Sequence, residues 1–305
     1  MTKKIIVLDK SVVRGAPKGF LESLREEFDF LLAEILMHEI GTEGIGEQDK
    51  FTDHKKRALN RRILATFEKA INETEHIRIS YEAALTWEIT TGCSARHLLM
   101  LNKCRFKPLD KESLLKRLSN GMEKLSRSSD DIKKILDYDS ERAKLASLPL
   151  LPGEQETYQK ITSDNMTEKE IYVHIQEECQ SKESFWAEKA REAFVEKARE
   201  KGLSISPFFS PQRDWLSFGI VIAGFAFRLW KLWKYGDKPI KSGKSPNPYF
   251  DTLYVAYVAI ADGILSADKD LLKLSWVCWP EKRNNIYKYD MGKVKATQFK
   301  PKWAL

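Results

Sequence analysis

The chain has 305 residues, 42% apolar and 31% charged, with 51 lysines and arginines against 44 acids, a formal charge of +7 and a pI near 9.0. That balance excludes a disordered or fibrous chain and fits one large globular domain or two smaller ones. The positive excess favours an anionic partner without requiring one.

Cys93, Cys104, Cys179 and Cys278 lie far apart with no CxxC pair, which argues against a zinc site or disulfide framework and for a reducing, cytoplasmic setting. The opening MTKKIIVLDK has no apolar signal region, and the longest apolar run, Phe218 to Phe227, falls well short of the ~20 residues of a membrane span. No membrane partner is expected.

In chain order, KKIIVL (Lys3 to Leu8) suits a central parallel strand buried on both faces. Asp9 ends it, and Ser11 follows, at the carboxyl end where open α/β sheets place their ligands. A helical segment through Phe20 to Phe28 leads to a second strand, FDFLLA, then to a short helix, EILMHEIGTEG. This helix carries Glu34 and Glu39. Helical side chains lean toward the helix N-terminus, so Glu39 can reach back to the edge occupied by Asp9, with Glu34 as fallback. Next come a basic helix, DHKKRALNRRILATFEKAI, with Arg61 and Arg62 in its positive cluster, and HIRISYEAALTWEITTG, a strand before another helix. Such a cluster serves a phosphate backbone or is simply a solvated face.

Residues 108–205 read as an inserted α-helical lobe of alternating charges, in which nothing catalytic stands out. It separates an N-terminal part, 1–107, from a C-terminal part, 206–305. After a proline-punctuated turn, the apolar run from Leu216 to Trp233 reads as a buried helix, and Lys238, Lys241 and Lys244 follow in a loop that can hold an anionic strand.

From Asp251 to Ala261 the pattern predicts a buried helix, stopped by Gly263 in a left-handed turn. A strand from Ile264 leads through Ser266 to Asp268, and a second apolar run extends from Leu271 to Trp279. The helix climbs roughly 16 Å and the strand returns about 13 to 16 Å, so Asp251 and Asp268 should meet at one edge. The end of the chain, EKRNNIYKYDMGKVKATQFKPKWAL, reads as a basic tail whose aromatics either stack bases or pack on the domain.

Asp9, Glu39, Asp251 and Asp268 thus converge on the carboxyl edge of one mostly parallel sheet in an α/β fold. Two close carboxylates repel unless a cation joins them or one is protonated. Four carboxylates without histidine or cysteine suit Mg2+ or Mn2+. No serine triad and no glycine-rich phosphate loop is present.

In IIVLDKS at Asp9, LLAEILMHEI at Glu39 and DTLYVAYVAIADGILSADKDLL at Asp251 and Asp268, the chain resembles the PIN-domain nucleases. The resemblance covers roughly the first 45 and the last 90 residues. It implies a three-layer α/β/α sandwich whose acids hold Mg2+ or Mn2+ and cut RNA, less often DNA. It also implies a structural role for Asp262, a supporting role for Asp270 and a possible inhibitory or complex-forming protein partner. Two alternatives stand beside it. One is a catalytically silent PIN-like module that binds nucleic acid or protein. The other is a doubly wound phosphatase, whose expected DxD is replaced here by Asp9-Lys10-Ser11.

Overall fold

The computed structural model describes residues 3–41, 52–74, 76–105, 159, 161, 166–235 and 248–304. Its first half is β1 (Lys4–Leu8), α1 (Lys10–Gly15), a single turn α2 (Phe20–Ser23), β2 (Phe28–Ala33), α3 (Glu34–Gly41), α4 (Asp53–Asn72), β3 (His76–Ile79), α5 (Tyr81–Thr91) and α6 (Ala95–Arg105). Then follow α7 (Glu168–Ser181), α8 (Glu183–Glu200), α9 (Leu216–Tyr235), α10 (Pro248–Tyr257), β4 (Gly263–Ser266), α11 (Lys269–Cys278), β5 (Ile286–Asp290) and β6 (Lys295–Gln298).

The six strands form one sheet in the order β3-β2-β1-β4-β5-β6, parallel except for β6, which runs antiparallel to β5. The fold is therefore α/β with a mostly parallel sheet. Ile5, Ile6, Val7 and Leu8 are all buried, as a strand covered on both faces requires. Strand order reverses at β1. From there the chain builds outward to β2 and β3, and only much later returns to lay β4 on the other side of β1, with Leu8 opposite Leu265. A crevice at the carboxyl ends of such a pair is where open α/β sheets bind ligands.

The helix α9 lies in the middle of the helical layer, against α7, α8, α10 and α11. By length and composition it is apolar enough to cross a membrane, and 61% of its most apolar stretch is buried inside the protein. Gly219 brings it close to α10, because a Cβ there would press on the carbonyl of Ala256 and the methyl of Ala259. The buried carboxylate of Glu88 anchors the same, N-terminal end, accepting from the amides of Leu216 at 2.6 Å, Ser217 at 2.9 Å and Ala95 at 3.0 Å. A negative charge at a helix N-terminus is favourable, and here three backbone donors use the whole group.

Several expectations change. The segment after Phe20 is one helical turn rather than a helix to Phe28. In the helical insertion, Ile171, Ile175, Trp186 and Phe194 belong to the same hydrophobic cluster as the sheet, so α7 and α8 share the core of the α/β fold. The basic "tail" is β5 and β6, with Ile286, Tyr289 and Phe299 buried and Trp303 stacked on Tyr172 at 5.7 Å.

Gly263 opens β4 and is not in a left-handed turn. Its need for glycine is close approach, since any Cβ would collide with the backbone carbonyl of Asn285. Gly263→Ala is accordingly expected to cost about 3 kcal/mol or more, at the top of the range for overpacking because backbone cannot rotate aside. A thermal melt within about 2 °C of wild type would refute this close approach.

Candidate metal-binding carboxylate site

Asp9 stands between β1 and α1, and its backbone amide still donates to Leu265 of β4 at 3.2 Å. The residue as a whole is only 6% exposed. The Oδ2 atom accepts hydrogen bonds from the hydroxyls of Ser266, at 2.6 Å, and Ser11. Each hydroxyl in turn accepts a backbone amide from the loop after β4. Ala267 donates to Ser11 at 3.0 Å and Asp268 donates to Ser266 at 2.9 Å. Ser11 and Ser266 thereby lock the carboxyl ends of β1 and β4 together around Asp9. Burial pushes the Asp9 carboxyl up, the two hydroxyls oppose that, and the charge of Asp268 adds to it.

Asp268 caps α11, its Oδ1 accepting from the amides of Asp270 at 2.8 Å and Leu271 at 3.2 Å. Its Oδ2 has no donor among the described residues. Asp251 sits in the first turn of α10. The last turn before Asp262 tightens into bonds three residues apart, such as Ile260 to Tyr257, and β4 then returns the chain. Asp251 and Asp268 consequently line one cavity of about 200 Å³. Burial drives the Asp251 carboxyl well above the usual carboxylate range, and the charges of Asp268, Asp9 and Glu39 push it further, against Lys10.

Glu39 comes from α3 and is held on both oxygens. Tyr254, fully buried on α10, donates to Oε2 at 2.8 Å, and Lys10 reaches Oε1 at 3.4 Å. Burial raises its carboxyl as well, with Lys10 and Tyr254 opposing. The four acids therefore occupy one region but differ in freedom. Asp251 and the Oδ2 of Asp268 are open, while Asp9 and Glu39 are already hydrogen-bonded. Among the described residues, no three of the acidic, histidine or cysteine side chains are gathered closely enough to hold a metal ion as they stand.

Searches of protein-family models, of curated proteins and of solved structures return no match to this chain. Its chemistry must be argued from the site itself.

Of the supporting residues, Asp270 pairs with Lys234 at 2.6 Å and with Lys273 at 3.8 Å, so its charge is already met. Asp262 lies at the opposite edge of the sheet. There it accepts from the Ile5 amide at 2.8 Å and pairs with Arg96 at 2.6 Å, a structural part. Glu34 opens α3, and its side chain lies outside the described residues, as do Lys238, Lys241 and Lys244. Arg61 and Arg62 are exposed on α4, which packs against α1 and α3.

Sequence reading missed Lys10, Tyr254 and Ser266. The one available signal was position: Lys10 and Ser266 sit one and two residues from a candidate acid, and Tyr254 sits one helical turn beyond Asp251.

Proposed function

We propose that the chain is a Mg2+- or Mn2+-dependent nuclease built as a PIN-like three-layer α/β/α sandwich, an endoribonuclease before a deoxyribonuclease. The observation that carries this reading is that Asp251 and Asp268 line one cavity, near enough to Asp9 for their charges to act on one another, beside the carboxyl ends of β1 and β4 where strand order reverses. Their donor chemistry suits the ion, being oxygen only and buried, with Lys10 committed to Glu39 and Lys234 to Asp270. Asp251, Asp268 and Asp9 would hold it, with Glu39 behind them. When bound, such an ion supplies an activated water and stabilises the charge of a leaving oxygen.

The chain's own residues set the geometry. Ser11 and Ser266 fix Asp9, the amides of α11 fix Asp268, and Tyr254 fixes Glu39. Arg61 and Arg62 offer exposed positive charge to a phosphate backbone, and the sequence adds Lys238, Lys241 and Lys244 shortly before Asp251. A second reading, a silent nucleic-acid or protein-binding module, is favoured by the lack of a ready three-carboxylate group among the described residues.

Incubation with labelled single-stranded RNA, structured RNA and DNA, in manganese and in chelator, separates the two. Cleavage in manganese that stops in chelator is the expected result, and binding without metal-dependent cleavage would sink the nuclease reading. Tyr254→Phe removes the hydroxyl donor on the Oε2 of Glu39 and leaves Lys10 on Oε1, and loss of such an outer partner weakens metal binding by about tenfold or more. The manganese concentration giving half-maximal cleavage should rise accordingly. An unchanged manganese titration would remove Glu39 from the metal set.

A further inference from the structure

Beside the carboxylates, the same cavity of about 200 Å³ has a second wall of different chemistry: the rings of Phe227, Trp230 and Tyr235 from the last turns of α9, with the ammonium of Lys234. Trp230 and Tyr235 meet edge to face at 5.9 Å, and Lys234 lies over the Trp230 ring at 4.6 Å and over the Tyr235 ring at 5.6 Å. Trp230 and Phe227 are buried, whereas Tyr235 is half-buried. One small volume thus joins open carboxylate oxygens, aromatic faces and a cation.

We infer that this cavity is a nucleobase subsite, in which Tyr235 stacks an unpaired base of a single-stranded nucleic acid whose phosphate lies at Asp251 and Asp268. The inference rests on the nuclease reading for the identity of the phosphate. A nucleotide links a phosphate to a flat base through one sugar, so a phosphate held at the acids carries its base into the adjoining volume. An aromatic wall accepts any base, because every base has a π-face, and Lys234, held by Asp270 at 2.6 Å, keeps a cation beside it. A base inside a duplex is stacked on both sides and enters such a cavity only by leaving the helix. Single strands, or unpaired positions in folded RNA, are the substrates this arrangement selects.

The test is equilibrium binding of a short end-labelled single-stranded RNA, measured by fluorescence anisotropy in calcium with strand integrity checked on a gel. Wild type, Tyr235→Ala and Tyr235→Phe are compared on the intact strand and on strands carrying one abasic ribose, moved position by position. Tyr235→Ala should bind about tenfold more weakly, and Tyr235→Phe within about twofold of wild type, as loss or retention of one stacked base requires. At one position the abasic ribose should cost wild type the same factor and cost Tyr235→Ala nothing more.

Equal affinity of Tyr235→Ala and wild type, equal abasic losses in both proteins, or no binding of the strand overturns the subsite. A stacking signal without manganese-dependent cleavage leaves the subsite standing and defeats the nuclease reading. Cleavage without the stacking signal does the reverse.

Discussion

Asp268→Asn will abolish manganese-dependent cleavage while leaving the protein at least as stable as wild type. Asp268 has two separable jobs. Its Oδ1 caps α11 by accepting from Asp270 and Leu271, and asparagine caps a helix as well as aspartate does. Its Oδ2 is open beside Asp251 and Asp9, and there asparagine puts an amide donor where a cation needs a carboxylate. The loss of activity should exceed the roughly 100-fold that removing an outer partner costs, because this is a ligand itself. Asp268→Ala tells the two jobs apart: it should lose activity similarly and also about 1 kcal/mol of stability with the cap. Cleavage rates and thermal melts of the two variants decide the matter. Full activity in Asp268→Asn would end the carboxylate assignment.

How much of this was legible in the sequence differs by element, for physical reasons. The run IIVL ending in Asp9 is readable because a strand buried on both faces must be continuously apolar. The meeting of Asp251 and Asp268 is readable because a helix and a strand of known rise nearly cancel. Tightening of the last turn of α10 did not disturb that sum. The hydroxyl lock of Ser11 and Ser266 was not readable, since it depends on the register that sets Leu8 against Leu265, and pairing across 257 residues leaves no local trace. In the apolar run after Asp251, Tyr254 reads as core. It is core by burial, and its hydroxyl gains a role only because α3 brings Glu39 alongside.

Misreading β5 and β6 has a different origin. Lysines at Lys288 and Lys295 dominated the composition and hid the turn at Asp290 to Lys293 between two short alternating runs. A glycine just after a helix most commonly serves as its left-handed cap, and Gly263 does not. Its real constraint, the carbonyl of Asn285, belongs to the distant turn before β5.

Metal-free wild-type protein will lose stability as the pH rises above the ordinary carboxylate range, and Asp251→Asn will remove most of that loss. Burial, then the charges of Asp268, Asp9 and Glu39, raise the Asp251 carboxyl well above its usual value, and burial raises Asp9 and Glu39 too. A carboxyl whose folded pKa exceeds its unfolded value binds more protons folded than unfolded between the two. Its contribution to stability is fully present below the unfolded value, about 4, and is lost as the pH rises through the folded one. This is the reverse of a salt-bridged aspartate.

Asparagine keeps the size of Asp251 and removes the charge, so in chelator near neutral pH the variant should melt roughly 3 to 8 °C above wild type, and near pH 4 the two should converge. Manganese will then raise the wild-type midpoint in proportion to its occupancy and leave the variant nearly unmoved, because an ion stabilises only the state that binds it. Melts across that pH range, with chelator and with manganese, measure all three effects together. A wild-type midpoint that climbs with pH, or a variant no more stable than wild type at neutral pH, would mean the acids are not crowded enough to need a cation. The physical basis of the metal site would go with them.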